Sequence, residues 1–511
     1  MERLDYWQQV TRKRLSRRAL LRSTGAALAA VGLGAACGGE EKPSGGVTPV
    51  AGTPAVVSGA GNGTAKNAIV VMLDTLRADH VGCYGNDWIE TPAMDALAGE
   101  SILFSRAYPE SLATMPGRRS LHTGLRTWPF RVWTPDRGDL PLPGWQHIPE
   151  GQVTVQEAMM DAGLETIFIT DTHHYFKPWQ NFHIGFRQWR WVRGHESDPY
   201  RSTAQVQPED VEKFVPEGTE EDEMSRERLL ITQYLANQGE REGEEDYQAP
   251  RVFREAMELL EGNQKVERFF LLVDSFDPHE PWNPPKKYVD LYDRGYEGRE
   301  VIQPRYGPSD YLSEAELKHM RALYAGKVTM VDRWLGLFLE RARDLGMLED
   351  TLLIVTSDHG HQLGEHGLTG KLPGGLWYEL MDVPLLVRRP DGVGAGTRVD
   401  ALAQLHDIPS TVLKALDVEP PAPLDGVDLL DLAAGRIASR KHVSAGYVYN
   451  SWCRDERYVY FVGNDGTQPH LYDMEADPLQ EHDLAAEEQG VVKQMHQKLL
   501  LDAGGPLPLP K

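Results

Sequence analysis

Two continuous apolar runs, Asn67 to Leu73 and Thr351 to Thr356, stand out in a chain whose other apolar positions recur mostly at helical spacing. Short runs rich in β-branched residues and bounded by polar turns predict strands buried on both faces of a parallel sheet. Each run ends in an acid, Asp74 after the first and Asp358 with His359 and Gly360 after the second. Further along, Leu164 to Thr170 and Phe269 to Asp274 read as strands, while Met94 to Ser101, Val252 to Glu261 and Lys327 to Gly336 read as helices. This alternation predicts an α/β fold, a mostly parallel sheet sandwiched by helices. Tyr458 to Val462 and His470 to Pro478 read instead as strands separated by turns.

The pattern also divides the chain. Residues 1–37 carry paired arginines at Arg17 and Arg18, then a short apolar stretch from Ala26 to Leu33 and a sequence ending in Cys37 that approximates a lipoprotein cleavage box. This reads as a twin-arginine-type export signal with Cys37 as a lipid-bearing N-terminus, the alternative being cleavage without lipid. Periplasmic or cell-surface localisation follows, with membrane contact only through that anchor. Residues 38–66, rich in Gly, Pro, Ser and Thr, read as a flexible linker. A main α/β domain is expected over 67–430 and a C-terminal subdomain over 431–511. The acidic stretch from Trp189 to Asp246 reads as an insertion, helical in part, at the rim of the site.

Composition narrows the partners. With 511 residues and 41% hydrophobic content the chain can bury a large core, and a formal charge of −23 excludes nucleic acid as a non-specific partner. Any anionic ligand would have to be attracted locally. Cys83 and Cys453 are too far apart in sequence to warrant a disulfide, so both are expected as buried free thiols.

Strand ends are where α/β sheets bind ligands. A carboxylate beside an imidazole suits a metal, and Gly360 would let the backbone turn away; a simple turn is the alternative reading. Asp74 would join Asp358 if the two strands are neighbours, or else would cap a helix. Thr114, Pro116 and Arg118 fit a helix N-terminus that stabilises an anion, with Arg118 one turn on. Gly364 to Lys371 reads as a polar, glycine-rich loop. The aromatic segment Tyr175, Phe176, Trp179, Phe182, Phe186, Trp189 and Trp191 fits core packing, or a surface on which sugars stack.

Taken in order, Leu-Asp74-Thr-Leu-Arg-Ala-Asp-His, then Thr114-x-Pro-x-Arg118, Asp277-Pro-His279-Glu-Pro-Trp282, Ser-Asp358-His359-Gly and Gly370-Lys371 resemble the sulfatase family of the alkaline-phosphatase superfamily. The resemblance runs from about Asn67 to near the C-terminus and implies a small antiparallel C-terminal subdomain. It implies one divalent metal ion on Asp74, Thr114, Asp358 and His359. The donor set favours zinc or manganese, with calcium open. It implies Thr114 as nucleophile, Arg118 steadying negative charge, His279 protonating the leaving oxygen and Lys371 holding the anionic group. His173 and His174 fall where the family places substrate contacts. Asp274, Asp277, His279 and His406 are the residues that would have to supply a second ion, but the alkaline-phosphatase-type Asp-x-x-x-His spacing is absent from Asp274 to His279.

The chain departs from that family at one decisive point. Where sulfatases carry a cysteine or serine converted to formylglycine stands Thr114, which cannot become an aldehyde, so no formylglycine is expected. The family's Asp-Asp pair is Asp74-Thr75. The expected function is a metal-dependent hydrolase of sulfate or phosphate esters using Thr114, on an ester borne by a glycan or lipid. A phosphotransferase or phosphodiesterase of the phosphoethanolamine or phosphoglycerol type and a non-catalytic surface binding protein are the alternatives.

Overall fold

The computed structural model describes residues 57, 65–131, 142–177, 180–217, 219, 225–239 and 241–509. The export signal, Cys37 and Trp179 lie outside the described residues. The strands used below are β1 (Asn67–Leu73), β2 (Ile102–Phe104), β3 (Ser111–Leu112), β4 (Glu165–Thr170), β5 (Gln188–Trp191), β6 (Phe269–Ser275) and β7 (Thr351–Thr356). They continue with β8 (Leu385–Arg388), β9 (Thr397–Val399), β10 (His442–Tyr447), β11 (Asn450–Asp455), β12 (Tyr458–Gly463) and β13 (His470–Asp473). The helices are α1 (Pro92–Gly99), α2 (Thr114–Thr123), α3 (Arg226–Gln238), α4 (Gln248–Gly262), α5 (Glu314–Asp344) and α6 (Gln489–Asp502).

The main sheet has eight strands in the order β9-β2-β8-β7-β1-β6-β4-β5. From β7 to β5 neighbouring strands are parallel, and β8 is antiparallel to both its neighbours. β1 occupies the middle because every one of its seven residues is buried, a pattern tolerated only with layers on both faces. Apolar side chains on its two faces feed separate cores: Ile69, Val71 and Leu73 pack with helices α4 and α5, and Ala68, Val70 and Met72 pack on the other side. The expected α/β sandwich is the observed one.

The register decides which residues meet. β1 runs beside β7 with Met72 opposite Thr356, and beside β6 with Met72 opposite Asp274. Asp74 and Asp358 therefore leave adjacent strand tips together, which the sequence leaves conditional on the two strands being neighbours. Helix α5, opened by a reciprocal Ser313 and Glu316 capping box, spans 31 residues where the periodicity marked only its middle. Among the described residues no helix is long and apolar enough to cross a membrane.

A second sheet has the order β13-β12-β11-β10-β3. Its C-terminal strands form the expected antiparallel meander, backed by α6. β3 pairs parallel to β10, Gly446 opposite Ser111 and Tyr447 opposite Leu112. The two residues ahead of the Thr114 helix thus belong to the C-terminal sheet, a contact invisible in the sequence.

Several local expectations are corrected. Trp189 and Trp191 lie in β5, the edge strand of the main sheet, so the acidic stretch begins as part of the core architecture. Residues 362–370 form a short hairpin, Gln362 opposite Gly370 and Leu363 opposite Thr369, instead of an open loop. Gly360 is required by crowding: a Cβ there would lie 1.9 Å from the Glu379 carbonyl oxygen. Within the presumed linker, Val57 is buried and its N–H donates to the Ala433 carbonyl at 3.1 Å. Cys83 and Cys453 are both free, the first half-buried and the second buried.

Candidate functional site

The chemistry collects at the C-terminal edge of β1, β6, β7 and β4. Asp74, directly after β1, is fully buried, and neither carboxylate oxygen has a hydrogen-bond donor. Thr75 follows with φ of 60°, a left-handed conformation that costs a β-branched residue on the order of 1–3 kcal/mol. The turn it makes aims the Thr75 N–H at Asp358 Oδ1, 3.1 Å away, and the Leu76 N–H at Ser357 Oγ, 2.9 Å away. Tyr324 of α5 fixes the same turn, its hydroxyl donating to the Thr75 carbonyl at 2.8 Å.

His359 Nε2 lies 3.3 Å from Asp358 Oδ2 and 4.0 Å from Asp74 Oδ1, and has no hydrogen-bond partner. Its Nδ1 is held 2.9 Å from the Gly360 carbonyl, which leaves Nε2 for a ligand. One donor atom from each of Asp74, Asp358 and His359 lies within 4.8 Å of the others. Burial and the neighbouring Asp358 carboxylate push Asp74 well above the usual carboxylate range. Burial lowers His359 to about 4, so its imidazole is neutral, the form a metal takes. Orphaned buried oxygens beside an orphaned nitrogen fit a divalent cation.

Thr114 opens α2, is buried, and has no side chain capping the helix in front of it. Pro116 fits the first turn, where its missing N–H is not needed. Gly117 brings α2 against the tip of β7: a Cβ there would lie 3.7 Å from Asp358 Cβ.

Arg118, the residue that the resemblance assigned to steadying negative charge, lies at the same sheet edge. Its guanidinium is fully buried among carboxylates, with Asp274 at 3.0 Å, Asp74 at 3.1 Å and a short contact to Asp358. The physical reason is charge: buried acids need cations, and the Arg118 guanidinium contacts all three. Asp274 is saturated further by Thr172 Oγ1 at 3.0 Å and the Tyr175 hydroxyl at 2.7 Å.

His279 and Lys371 come together as the resemblance implied, Nζ to Nε2 at 2.8 Å. The His279 Nδ1 lies 2.6 Å from the Glu280 carbonyl, so the ring donates there and accepts from Lys371. Burial, reinforced by Lys371, holds His279 well below its ordinary value. The Lys371 ammonium position therefore faces the lone pair of the imidazole. Lys371 is also 3.1 Å from each Glu280 carboxylate oxygen. Burial raises Glu280, but His279, Lys371 and His361 outweigh it and keep the carboxylate ionised. Glu280 and His361 escaped the sequence reading, although each lies within two residues of a residue it had singled out.

The residues considered for a second ion do not assemble one. Asp277 is 2.6 Å from both His195 Nε2 and Lys327 Nζ, while His406 lies beside Asp407, 3.9 Å away. His173 and His174 follow β4 with ring centroids 4.1 Å apart. The aromatic segment splits in two. Tyr175, Phe182 and Phe186 pack into the core around His122, whereas Phe176 stacks on Trp191 and on the half-exposed Trp189.

Comparison with known proteins gives the same picture. The family model described as Sulfatase matches residues 66–418. An arylsulfatase of Clostridium perfringens is 25% identical over 444 residues, covering 81% of this chain and 88% of the relative. An ulvan-active sulfatase of Formosa agariphila is 25% identical over 436 residues, covering 82% of this chain and 77% of the relative. Among solved structures, the phosphonate monoester hydrolase of Agrobacterium radiobacter superimposes with a TM-score of 0.66 at 21% identity, covering 86% of this chain and 95% of that one.

Proposed function

Since the chain belongs to the sulfatase family, a family of ester hydrolases, we propose that it is a metal-dependent hydrolase of sulfate or phosphorus esters with Thr114 as the attacking group. The observation that carries this is the convergence of Asp74, Asp358 and His359, with the Asp74 oxygens and His359 Nε2 lacking hydrogen-bond partners, against the first turn of the Thr114 helix.

Asp74, Asp358, His359 and the Thr114 hydroxyl would hold the ion. When bound it supplies the positive charge that makes a hydroxyl acidic enough to react and that offsets an anionic ester. The chain's own residues do the rest. Thr114 presents its oxygen at an uncapped helix N-terminus, where developing negative charge is favoured. Arg118 holds Asp274 and Asp358 in place through its guanidinium. Lys371, steadied by Glu280 and His279, carries the proton that the leaving oxygen needs. Threonine cannot be converted to the formylglycine aldehyde, so the hydroxyl acts unmodified.

Relatives named for aryl and ulvan sulfates support a sulfate ester on a ring, and the Phe176, Trp189 and Trp191 stack supports a glycan carrier. The paired arginines and Cys37 support export and lipid anchoring at the cell surface or periplasm. The deciding assay takes purified protein with zinc, manganese or calcium against an aryl sulfate, a phosphate monoester, a phosphodiester and a phosphonate monoester. Metal-dependent turnover of at least one is expected; failure with all four in every metal would sink the proposal.

A further inference from the structure

We propose that His173, His174 and Glu196 form a second divalent-cation site of zinc type, distinct from the Asp74, Asp358 and His359 set. One donor atom from each of the three lies within 4.8 Å of the others. Topology makes this meeting possible. β4 and β5 are neighbours in parallel, Thr170 opposite Trp191, so His173 three residues beyond one tip meets Glu196 five residues beyond the other.

The donor atoms are poised for a ligand that the protein itself does not supply. His173 is 3% exposed, yet neither of its ring nitrogens has a hydrogen-bond partner. A buried imidazole without a partner is unfavourable, and a bound cation would satisfy it. Glu196 Oε2 stands 3.5 Å from His173 Nε2. That is long for a hydrogen bond, but it is close to the ~3.4 Å edge between two ligands that each sit about 2.0–2.1 Å from a tetrahedral ion. His174 Nδ1 is engaged by Lys177 Nζ at 2.7 Å, which fixes the ring and leaves Nε2 as the available nitrogen. Ser197 Oγ donates to Glu196 Oε2 at 2.9 Å and orients the carboxylate.

Two imidazoles and one carboxylate make the donor set of zinc sites that keep an open position. Calcium and magnesium, which take oxygen ligands, fit it poorly. The site does not depend on Thr114 being the nucleophile, and it goes beyond the single ion that the sequence implies.

The test is zinc content per chain after saturation and desalting, measured by mass spectrometry on the full-length protein. Glu196→Gln should lower it by one ion relative to wild type, and His173→Asn by the same amount. Asp358→Ala should remove a different ion, so that Glu196→Gln with Asp358→Ala loses two. In cobalt-substituted protein, Glu196→Gln should erase one set of visible absorption bands and leave the fold unchanged by circular dichroism. Should His173→Asn fail to fold, the conservative Glu196 variant decides alone. Wild-type zinc content in Glu196→Gln would overturn the proposal and leave His173 and His174 as contacts to the ester.

Discussion

Arg118 grips Asp274 through two parallel hydrogen bonds, Nε to Oδ2 and Nη2 to Oδ1, each 3.0 Å, with both side chains fully buried. The fork thereby joins the helix carrying Thr114 to the tip of β6, while Nη1 of the same guanidinium reaches Asp358 at the tip of β7. Arg118→Met should cost about 3–5 kcal/mol of stability, because it strands buried carboxylates, and should abolish turnover. Arg118→Lys restores the charge without the fork and should recover part of the stability. Urea denaturation checks both variants. The loss should be smaller in metal-loaded protein, where the ion supplies positive charge.

Thr114→Ala should slow turnover by roughly a thousandfold or more, since the attacking oxygen and one metal ligand vanish together, whereas Thr114→Ser should retain measurable activity. Steady-state rates on the best ester from the substrate panel decide. Wild-type protein should be equally active from any expression host once metal is supplied. A wild-type rate in Thr114→Ala would remove it as nucleophile.

Asp358→Ala should abolish activity and lower bound metal by one ion per chain while the fold survives, because the residue lies at a strand tip and its loss opens no apolar cavity. Metal analysis beside circular dichroism tests this. Full occupancy in the variant would take Asp358 out of the ligand set.

Acid should destabilise the protein below the ordinary histidine range. His122 is enclosed by Phe168, Tyr175, Phe182 and Phe186, and burial, helped by Arg118, lowers it to about 3. Between about pH 6.5 and that value the unfolded chain binds a proton that the native ring refuses, so stability falls as pH falls, by about 1.4 kcal/mol per pH unit for one such proton. His173, His174 and His279 are shifted in the same direction and steepen the slope. In His122→Asn the slope measured by denaturation across that window should be shallower by one proton's worth. An unchanged slope would show that His122 is not held neutral.

Arg17→Lys combined with Arg18→Lys should block export, and Cys37→Ala should free the exported protein from membranes. Cell fractionation reads both. Membrane association that persists in the Cys37 variant would exclude the lipid anchor.

The sequence by itself determined the strands and what stands at their ends. β1 and β7 are legible as buried apolar runs because a strand covered on both faces has no polar side to show, and an acid just past such a run must lie at the sheet edge. It also brought forward Thr114, since its place ahead of Pro116 records a helix start, while His279 and Lys371 came forward through the resemblance to the sulfatase family. What it could not determine is who faces whom across the sheet edge. The alignment of β1 with both β6 and β7 places Arg118 among Asp74, Asp274 and Asp358, where local sequence would have pointed it at a substrate anion. His279 was expected to donate a proton, yet burial and Lys371 leave it neutral, a matter of dielectric and neighbours that spacing does not encode. The recruitment of β3 into the C-terminal sheet and the meeting of His173 with Glu196 are likewise products of strand order. Periodicity is a property of neighbouring residues, whereas charge balance in a buried site depends on groups separated by hundreds of positions, and only the folded chain brings those together.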